Sequence, residues 1–148
     1  MILRILPPLL LLAALGLGSS HLCASAPSGR TIAGWVEMVR FPESDLVVRA
    51  KLDTGARTSS IFAVNVRQFK KEGQDWVRFD LYLEDIRDEA HRITLEKPIL
   101  RKVRIKNHDG QHDPRPVIAL DLCFDGRQYN TEFTLADRNE FIYNVLLG

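Results

Sequence analysis

The sequence predicts an all-β protein, a small closed or partly closed β-barrel with little helix, and three observations support this class. Short apolar runs alternate with polar residues along the chain, which is the period of a strand with one buried face. Turn signals that contain glycine separate these runs, and helical periodicity is hardly present. The chain has 148 residues, 45% apolar and 26% charged, which suits one domain with one core.

Six to eight short strands are expected. The clearest runs cover residues 35–41, 46–52, 61–69, 76–83, 99–105, 117–124 and 128–135. Pro42 ends the first run, because proline cannot donate a ladder hydrogen bond. A polar connection containing Gly73 predicts a hairpin between the third and fourth runs. The strongest hairpin signal is Asp125-Gly126, since this pair favours tight primed turns.

The first residues have the pattern of a secretory signal peptide. Arg4 precedes an apolar run over residues 5–17, and small residues follow up to Ala26. The run is shorter than the roughly 20 apolar residues of a membrane helix. We expect a signal peptide over 1–26, with cleavage after Ala26, Ala24 or earlier, a linker over 27–33, and one domain over 34–148. We therefore expect the protein to be exported to the periplasm, with no stable membrane span after cleavage.

Lipid anchoring at Cys23 is not expected, because Leu22 stands where lipid attachment wants a small residue. If the leader is removed after Cys23, Cys123 is the remaining cysteine and no intramolecular disulfide can form. Cys123 lies in an alternating run, so we expect a buried thiol that packs as a small apolar side chain.

The charge balance argues against two classes of partner. Twenty lysines and arginines stand against nineteen aspartates and glutamates, a formal net charge of +1. Such a chain has no strong long-range field for nucleic acid or for an acidic membrane surface. We therefore expect neither as a main partner.

Asp53 is the leading candidate for chemistry. It ends the alternating run 46–52, and a carboxylate at the end of a buried strand is expensive unless it has a partner or a task. Thr54 offers a hydroxyl, and Gly55 permits a positive φ and a close backbone approach. Taken alone, Asp53 is better interpreted as a turn carboxylate that accepts backbone N–H groups.

Asp53-Thr54-Gly55-Ala56, together with Val145-Leu146-Leu147-Gly148, resembles the retropepsin-like aspartic peptidases. The chain looks most like a small bacterial family formerly labelled ATP-dependent zinc proteases. That resemblance runs from about Gly34 to the last residue, on segments 51–60, 76–79, 115–118 and 141–148.

The resemblance implies a retropepsin-like barrel and an aspartic endopeptidase activity. Two carboxylates must share a proton, and this chain has one Asp-Thr/Ser-Gly triplet, so the enzyme must be a homodimer with Asp53 from each subunit. By analogy, Thr54 braces the two loops, Gly55 and Ala56 shape them, and Leu146, Leu147 and Gly148 support them. The segment from Arg101 to Arg115 is our candidate for a mobile hairpin over the groove.

A second hypothesis is a non-catalytic module on the same barrel that binds a peptide or an envelope component. Retropepsins continue into a helix beyond the position of Gly148, and the end of this chain there favours that alternative. Arg57 also stands where retroviral enzymes usually place an acid, although it agrees with the bacterial pattern.

A third, weaker hypothesis is a metal-dependent hydrolase that uses His108 and His112. Gly110 and Pro114 favour an exposed loop rather than a helix that would put both rings on one face. The sequence contains no His-Glu-x-x-His and no Gly-rich loop ending in Gly-Lys-Ser or Gly-Lys-Thr. We therefore expect neither a metal nor a nucleotide cofactor.

Three other patterns have simpler interpretations. The acidic segment around 84–89 is expected to be solvated surface. The basic run 101–106 is expected to be a half-buried strand, with a basic strip that favours acidic peptides near a groove. The expected core includes the C-terminal apolar residues Phe133, Leu135, Phe141, Tyr143, Val145 and Leu147.

Overall fold

The computed structural model describes residues 32–106 and 112–148, and these residues form nine strands and no helix. The strands are β1 Val36–Phe41, β2 Leu46–Leu52, β3 Ser59–Lys71, β4 Gln74–Glu84, β5 Ala90–Pro98, β6 Arg101–Lys106, β7 His112–Phe124, β8 Arg127–Ala136 and β9 Val145–Leu147. The all-β prediction is confirmed. Within the described residues, no helix is long and apolar enough to cross a bilayer.

Six of these strands close into a barrel. The hydrogen-bonded order is β3, β8, β7, β1, β2 and β9, and β9 pairs back onto β3. The strands β4 and β5 extend the sheet outward from β3, and β6 pairs with β7. Closure removes the exposed strand edges that an open sheet would carry.

The short strand β9 lies between β2 and β3. It runs parallel to β2, with Leu147 opposite Leu52, and antiparallel to β3, with Leu146 opposite Ser60. The end of β2 and the beginning of β3 flank the Asp53 loop. The last residues of the chain are therefore held directly beneath that loop.

Two predicted hairpins form with left-handed turn residues. Between β7 and β8, Asp125 has φ 48° and Gly126 has φ 69°. Between β3 and β4, Glu72 has φ 51° and Gly73 has φ 80°. Two consecutive positive φ values are typical of the primed turns that match the twist of the flanking strands.

The barrel interior is filled by alternate side chains of the strands. Val48 and Ala50 are buried on the predicted face of β2. The largest fully buried side chains are Phe79, Phe133, Ile61, Leu83, Ile118, Val39, Val48, Val77, Val117 and Val145. The C-terminal core prediction holds for Phe133, Leu135 and Val145. It is wrong for Phe141, which is 59% exposed because it lies in the loop before β9.

The acidic segment 84–89 is not simply solvated surface, because Asp85 is 3% exposed. The segment turns the chain from β4 into β5, a strand that the sequence pattern did not indicate. In β5, charged residues surround Ile93 and Leu95, which pack against the core from a partly buried position. The charged neighbours obscured the alternation.

Several predictions concern residues 1–31 and 107–111, which lie outside the described residues. These are the signal peptide over 1–26, most of the linker over 27–33, and the loop around His108. Cys123 is buried as expected, but it is disulfide-bonded rather than a free thiol. The expectation of a free thiol applied to a chain cut after Cys23, and the full chain carries both cysteines.

Candidate active site

The Asp53 loop leaves β2 and forms a tight turn at one end of the barrel. The N–H of Asp53 donates to the carbonyl of Leu147 at 2.8 Å, which continues the pairing of β2 with β9. The N–H of Ala56 donates to the carbonyl of Asp53 at 3.1 Å and closes the turn. Asp53 is half-buried, whereas Thr54 and Gly55 are exposed, so the tip of the loop faces solvent.

The carboxylate of Asp53 accepts one hydrogen bond from its own loop. The N–H of Gly55 donates to Oδ1 at 3.0 Å. This is the short-range bond that aspartate often forms in turns. The rest of the carboxylate makes no hydrogen bond to residues 32–106 or 112–148 and is available for a partner.

Gly55 does not use the positive φ that glycine permits. Among the described glycines, a positive φ occurs at Gly73 and Gly126 and not at Gly55. A Cβ at Gly55 would instead lie 3.3 Å from Oδ1 of Asp53, a tight contact. A side chain at this position would therefore press on the carboxylate, which folds back over the backbone.

Thr54 stands at the exposed tip of the loop. Its hydroxyl makes no hydrogen bond to any residue in the described part of the chain. A hydroxyl can both donate and accept, and this one is open to a partner outside the chain.

Gly148 packs against the loop from below. A Cβ at this position would lie 2.8 Å from the carbonyl oxygen of Ala56 and 2.9 Å from the carbonyl carbon and oxygen of Thr58. These are backbone atoms, which cannot move aside as a flexible side chain can. The N–H of Gly148 donates to Oγ of the buried Ser59 at 3.1 Å. The apolar-apolar-Gly element of this chain therefore lies directly beneath the Asp53 loop.

Arg138 is a supporting residue that the sequence analysis missed. It is 7% exposed and lies between β8 and β9. Its Nε donates to the carbonyl of Tyr143 at 3.1 Å, and one terminal nitrogen donates to Oγ of Ser60 at 2.9 Å. Burial lowers its pKa. A single arginine in a loop carries no sequence signal for this role, which depends on the contact with β3.

The candidate mobile hairpin exists as a pair of strands. Residues of β6 pair with the first half of β7, from Arg101 opposite Val117 to Lys106 opposite His112. The tip, residues 107–111, lies outside the described residues, and so does the side chain of His112. The role of this hairpin as a cover for the groove stays a prediction.

One group among the described residues has the spacing of metal ligands. Ligand atoms of Asp85, Glu89 and His91 lie within 4.8 Å of one another. The carboxylate of Asp85 is already engaged, however: Oδ1 accepts the N–H groups of Arg87 at 2.8 Å and Glu89 at 3.0 Å. Oδ2 lies 3.2 Å from Nε2 of His91. These hydrogen bonds stabilise the turn between β4 and β5, and they account for the closeness of the three side chains without a metal ion.

Comparison with known proteins connects this geometry to a family. The family model described as retropepsin-like aspartic endopeptidase RimB matches residues 32–148. A crystal structure of Lpg0085 from Legionella pneumophila, a protein of unknown function, superposes with a TM-score of 0.66 and 29% identity, covering 81% of this chain and 84% of that one.

Two curated relatives are named probable alpha-L-glutamate ligase. The protein from Desulfotalea psychrophila is 34% identical over 120 residues, and the one from Shewanella pealeana is 38% identical over 119. The matches cover 80% and 79% of this chain but 26% of each relative. The chain thus spans about a quarter of the length of these curated relatives. Because the family model matches most of the chain, the chain belongs to the RimB-like family of retropepsin-like aspartic endopeptidases.

Proposed function

We propose that this protein is an exported aspartic endopeptidase whose active site is formed by two copies of Asp53 across a two-fold axis. The single observation that carries the proposal is the Asp53 loop itself, supported from below by Gly148 and exposed at its tip. In a fold of this family, that loop is the element that presents the catalytic carboxylate.

The chemistry explains why the second copy is needed. One carboxylate acts as a base on a water molecule while the other, protonated, polarises the scissile carbonyl. A single carboxylate cannot hold and release the proton at once. The open part of the Asp53 carboxylate and the unpartnered hydroxyl of Thr54 are the groups that a symmetric partner loop would meet.

The substrate is a peptide or protein, and we propose a preference for acidic chains. The strand β6 carries basic residues along the candidate mobile hairpin, and Arg57 lies in the Asp53 loop itself. Two curated relatives are named probable alpha-L-glutamate ligase, and glutamate is an acidic residue, which supports acidic peptides as the substrates to try. Peptides with glutamate on both sides of the cleavage site are therefore the first substrates to test.

The decisive experiment is a subunit-mixing assay with Asp53→Asn. Purified wild-type protein should cleave the peptides, and the Asp53→Asn protein should lose about 10²–10⁴-fold in rate, the usual contribution of a general acid or base. If each site needs both aspartates, an equal mixture after subunit exchange should retain about a quarter of the wild-type activity, because a mixed dimer is inactive. Independent sites would leave about half, and equal cleavage by both proteins would end the catalytic proposal.

The second candidate function is a non-catalytic peptide- or envelope-component-binding module. It is favoured by the coverage of the relatives, in which the matching region is a quarter of a protein named for a different activity. Analytical ultracentrifugation separates the two candidates. A protein that stays monomeric at the assay concentration, and that binds acidic peptides without cleaving them, would support the binding module.

A further inference from the structure

A cleft with a strongly basic lining lies on β4, β5 and the second half of β3, which extend outward from the closed barrel. Its volume is about 370 Å³, within the usual range for small-molecule sites. The polar side chains that line it are Asn65, Arg67, Arg78, Asp80, Arg92 and Thr94. None of them belongs to the Asp53 loop or to its support.

Asp80 forms the floor of this cleft and is 5% exposed. Its Oδ1 accepts the hydroxyl of Thr94 at 2.6 Å. Its Oδ2 accepts the amide of Asn65 at 2.7 Å and a guanidinium nitrogen of Arg92 at 2.6 Å. The bonds from Thr94, Asn65 and Arg92 hold the pKa of Asp80 well below its usual range. Asp80 is therefore ionised at neutral pH and fixes the orientation of its three neighbours.

A β-bulge shapes the wall of the cleft. The register between β3 and β4 shifts between Val64 and Arg67, and Asn65 lies inside this shift with φ 53°. Asparagine tolerates this left-handed conformation better than most residues do. Bulges redirect side chains near functional sites, and this one directs Asn65 onto Asp80.

The charges in the cleft do not balance. Three arginines face one aspartate, and Arg67 makes no ion pair or hydrogen bond with any residue of 32–106 or 112–148. Arg78 contacts Glu96 at 3.5 Å, and both side chains are substantially exposed. Such a contact holds Arg78 weakly. Two cationic groups thus remain available above the Asp80 floor.

Arg67 and Arg78 are also direct partners across β3 and β4. Like charges directly opposite each other on a sheet destabilise it. A bound anion between the two guanidinium groups would remove this repulsion and accept charge-assisted hydrogen bonds from both.

We propose that this cleft binds a small anion with two negative charges on oxygen, of the phosphate or dicarboxylate type. Arg67 and Arg78 contact the anion, and Asn65 and Arg92, held by Asp80, define the side of the site. The site is separate from the Asp53 loop, so the proposal stands or falls independently of the proteolytic one.

The test is calorimetric titration of the full-length protein with inorganic phosphate and with succinate, at ionic strength matched with sodium chloride. Saturable binding of at least one anion is expected, with a Kd of about 1 mM, the range of two or three charged hydrogen bonds. Arg67→Gln should weaken it about tenfold or more, and Arg78→Gln provides a second, independent test. Preference for phosphate or for succinate identifies the type of ligand.

Arg87→Gln is the matched control, because Arg87 is an exposed arginine in the turn between β4 and β5, outside the cleft. It should bind the anion as the wild type does. Circular dichroism and thermal melting establish that each variant is folded. The proposal is overturned if neither anion binds saturably, if folded Arg67→Gln and Arg78→Gln bind like the wild type, or if Arg87→Gln weakens binding equally.

Discussion

Asp53 and Asp80 are carboxylates of the same small fold, but their hydrogen-bond partners differ in number and kind. Asp80 is buried and accepts bonds from three side chains, on Thr94, Asn65 and Arg92. Asp53 is half-buried and accepts one bond, from the backbone of Gly55. A carboxylate whose oxygens are engaged organises its neighbours, whereas one with open lone pairs can meet a proton, a water molecule or a second carboxylate.

The support of each carboxylate differs in the same way. Asp80 is held through side chains, which can adjust when one partner changes. Asp53 is held through backbone packing, because β9 lies between β2 and β3 and Gly148 touches the loop. Backbone atoms cannot rotate away from a clash. Variants at the two sites should therefore differ in how strongly they lower stability and in how strongly they lower activity.

The largest effect is expected for Gly148→Ala, which tests the backbone support. The added Cβ would lie within 2.9 Å of three backbone atoms of Ala56 and Thr58, so the contact between residue 148 and the Asp53 loop must open. We expect the free energy of unfolding to fall by about 1–3 kcal/mol, as for overpacked sites. Peptide cleavage should fall by tenfold or more, because small displacements of catalytic groups have large effects on rate. Urea unfolding and kcat/KM measure the two effects.

Gly34→Ala is the control for this prediction. Its Cβ would approach the Glu37 side chain at 3.4 Å, an ordinary contact. Its stability should stay within about 0.5 kcal/mol of the wild type. A Gly148→Ala protein with wild-type stability and activity would show that the loop does not depend on this contact.

The next largest effect is a loss of stability in Asp80→Asn that Asp53→Asn does not share. An amide at position 80 places NH₂ donors against the donors of Asn65 or Arg92, and a buried donor without an acceptor is destabilising. Thermal unfolding followed by circular dichroism should show a melting temperature lower by several degrees. Asp53→Asn keeps an acceptor for the N–H of Gly55 and should have the same melting temperature as the wild type. Equal melting of all three proteins would contradict the contrast.

The strand pattern was largely predictable from sequence because each strand buries one face. Residues 46–52 alternate cleanly and match β2 at both ends. The turn at Asp125-Gly126 could also be predicted from the local sequence, because this pair of residues favours positive φ. The strand β5 was missed because its inward residues, Ile93 and Leu95, are partly buried and surrounded by charge.

The residues of the candidate site could be predicted from the sequence, but the contacts that hold them in place could not. Its residues came from the resemblance, and Gly148 packs against the Asp53 loop from below. The sequence allowed Gly55 a positive φ, but the structure shows instead a close approach to Oδ1 of Asp53, which local pattern does not contain. The partners of Asp80, and those of Arg138, depend on register between strands distant in sequence, which local patterns do not contain.

A smaller effect is expected in acid, where the structural carboxylates lose their charge. Hydrogen bonds from the N–H groups of Glu89 and Arg87, and from His91, lower the pKa of Asp85 to about 2, despite its burial. The folded-state pKa lies below the unfolded value of about 3.9, so the stabilisation is complete above pH 4 and is lost as the pH falls towards 2.

Asp85→Asn isolates this contribution, because an amide at position 85 does not titrate. The stability difference between wild type and variant should be largest above pH 4 and should narrow towards pH 2. Chemical denaturation at several pH values measures the difference. A stability difference that stays constant over this pH range would mean that the charge of Asp85 does not contribute to the stability of the fold.

The smallest effect is expected for an exposed ion pair, which completes the comparison with a third kind of carboxylate. Arg101 donates from Nε at 2.9 Å and from a terminal nitrogen at 2.6 Å to Oε2 of Glu132, and both side chains are 46% exposed. Water screens such a pair, so Arg101→Gln should lower the free energy of unfolding by about 0.2–1 kcal/mol at low salt and by less at high salt. Urea unfolding at two salt concentrations measures this. A larger loss of stability that does not depend on salt would contradict this prediction. It would show that Glu132, like Asp80, is a carboxylate that organises the fold.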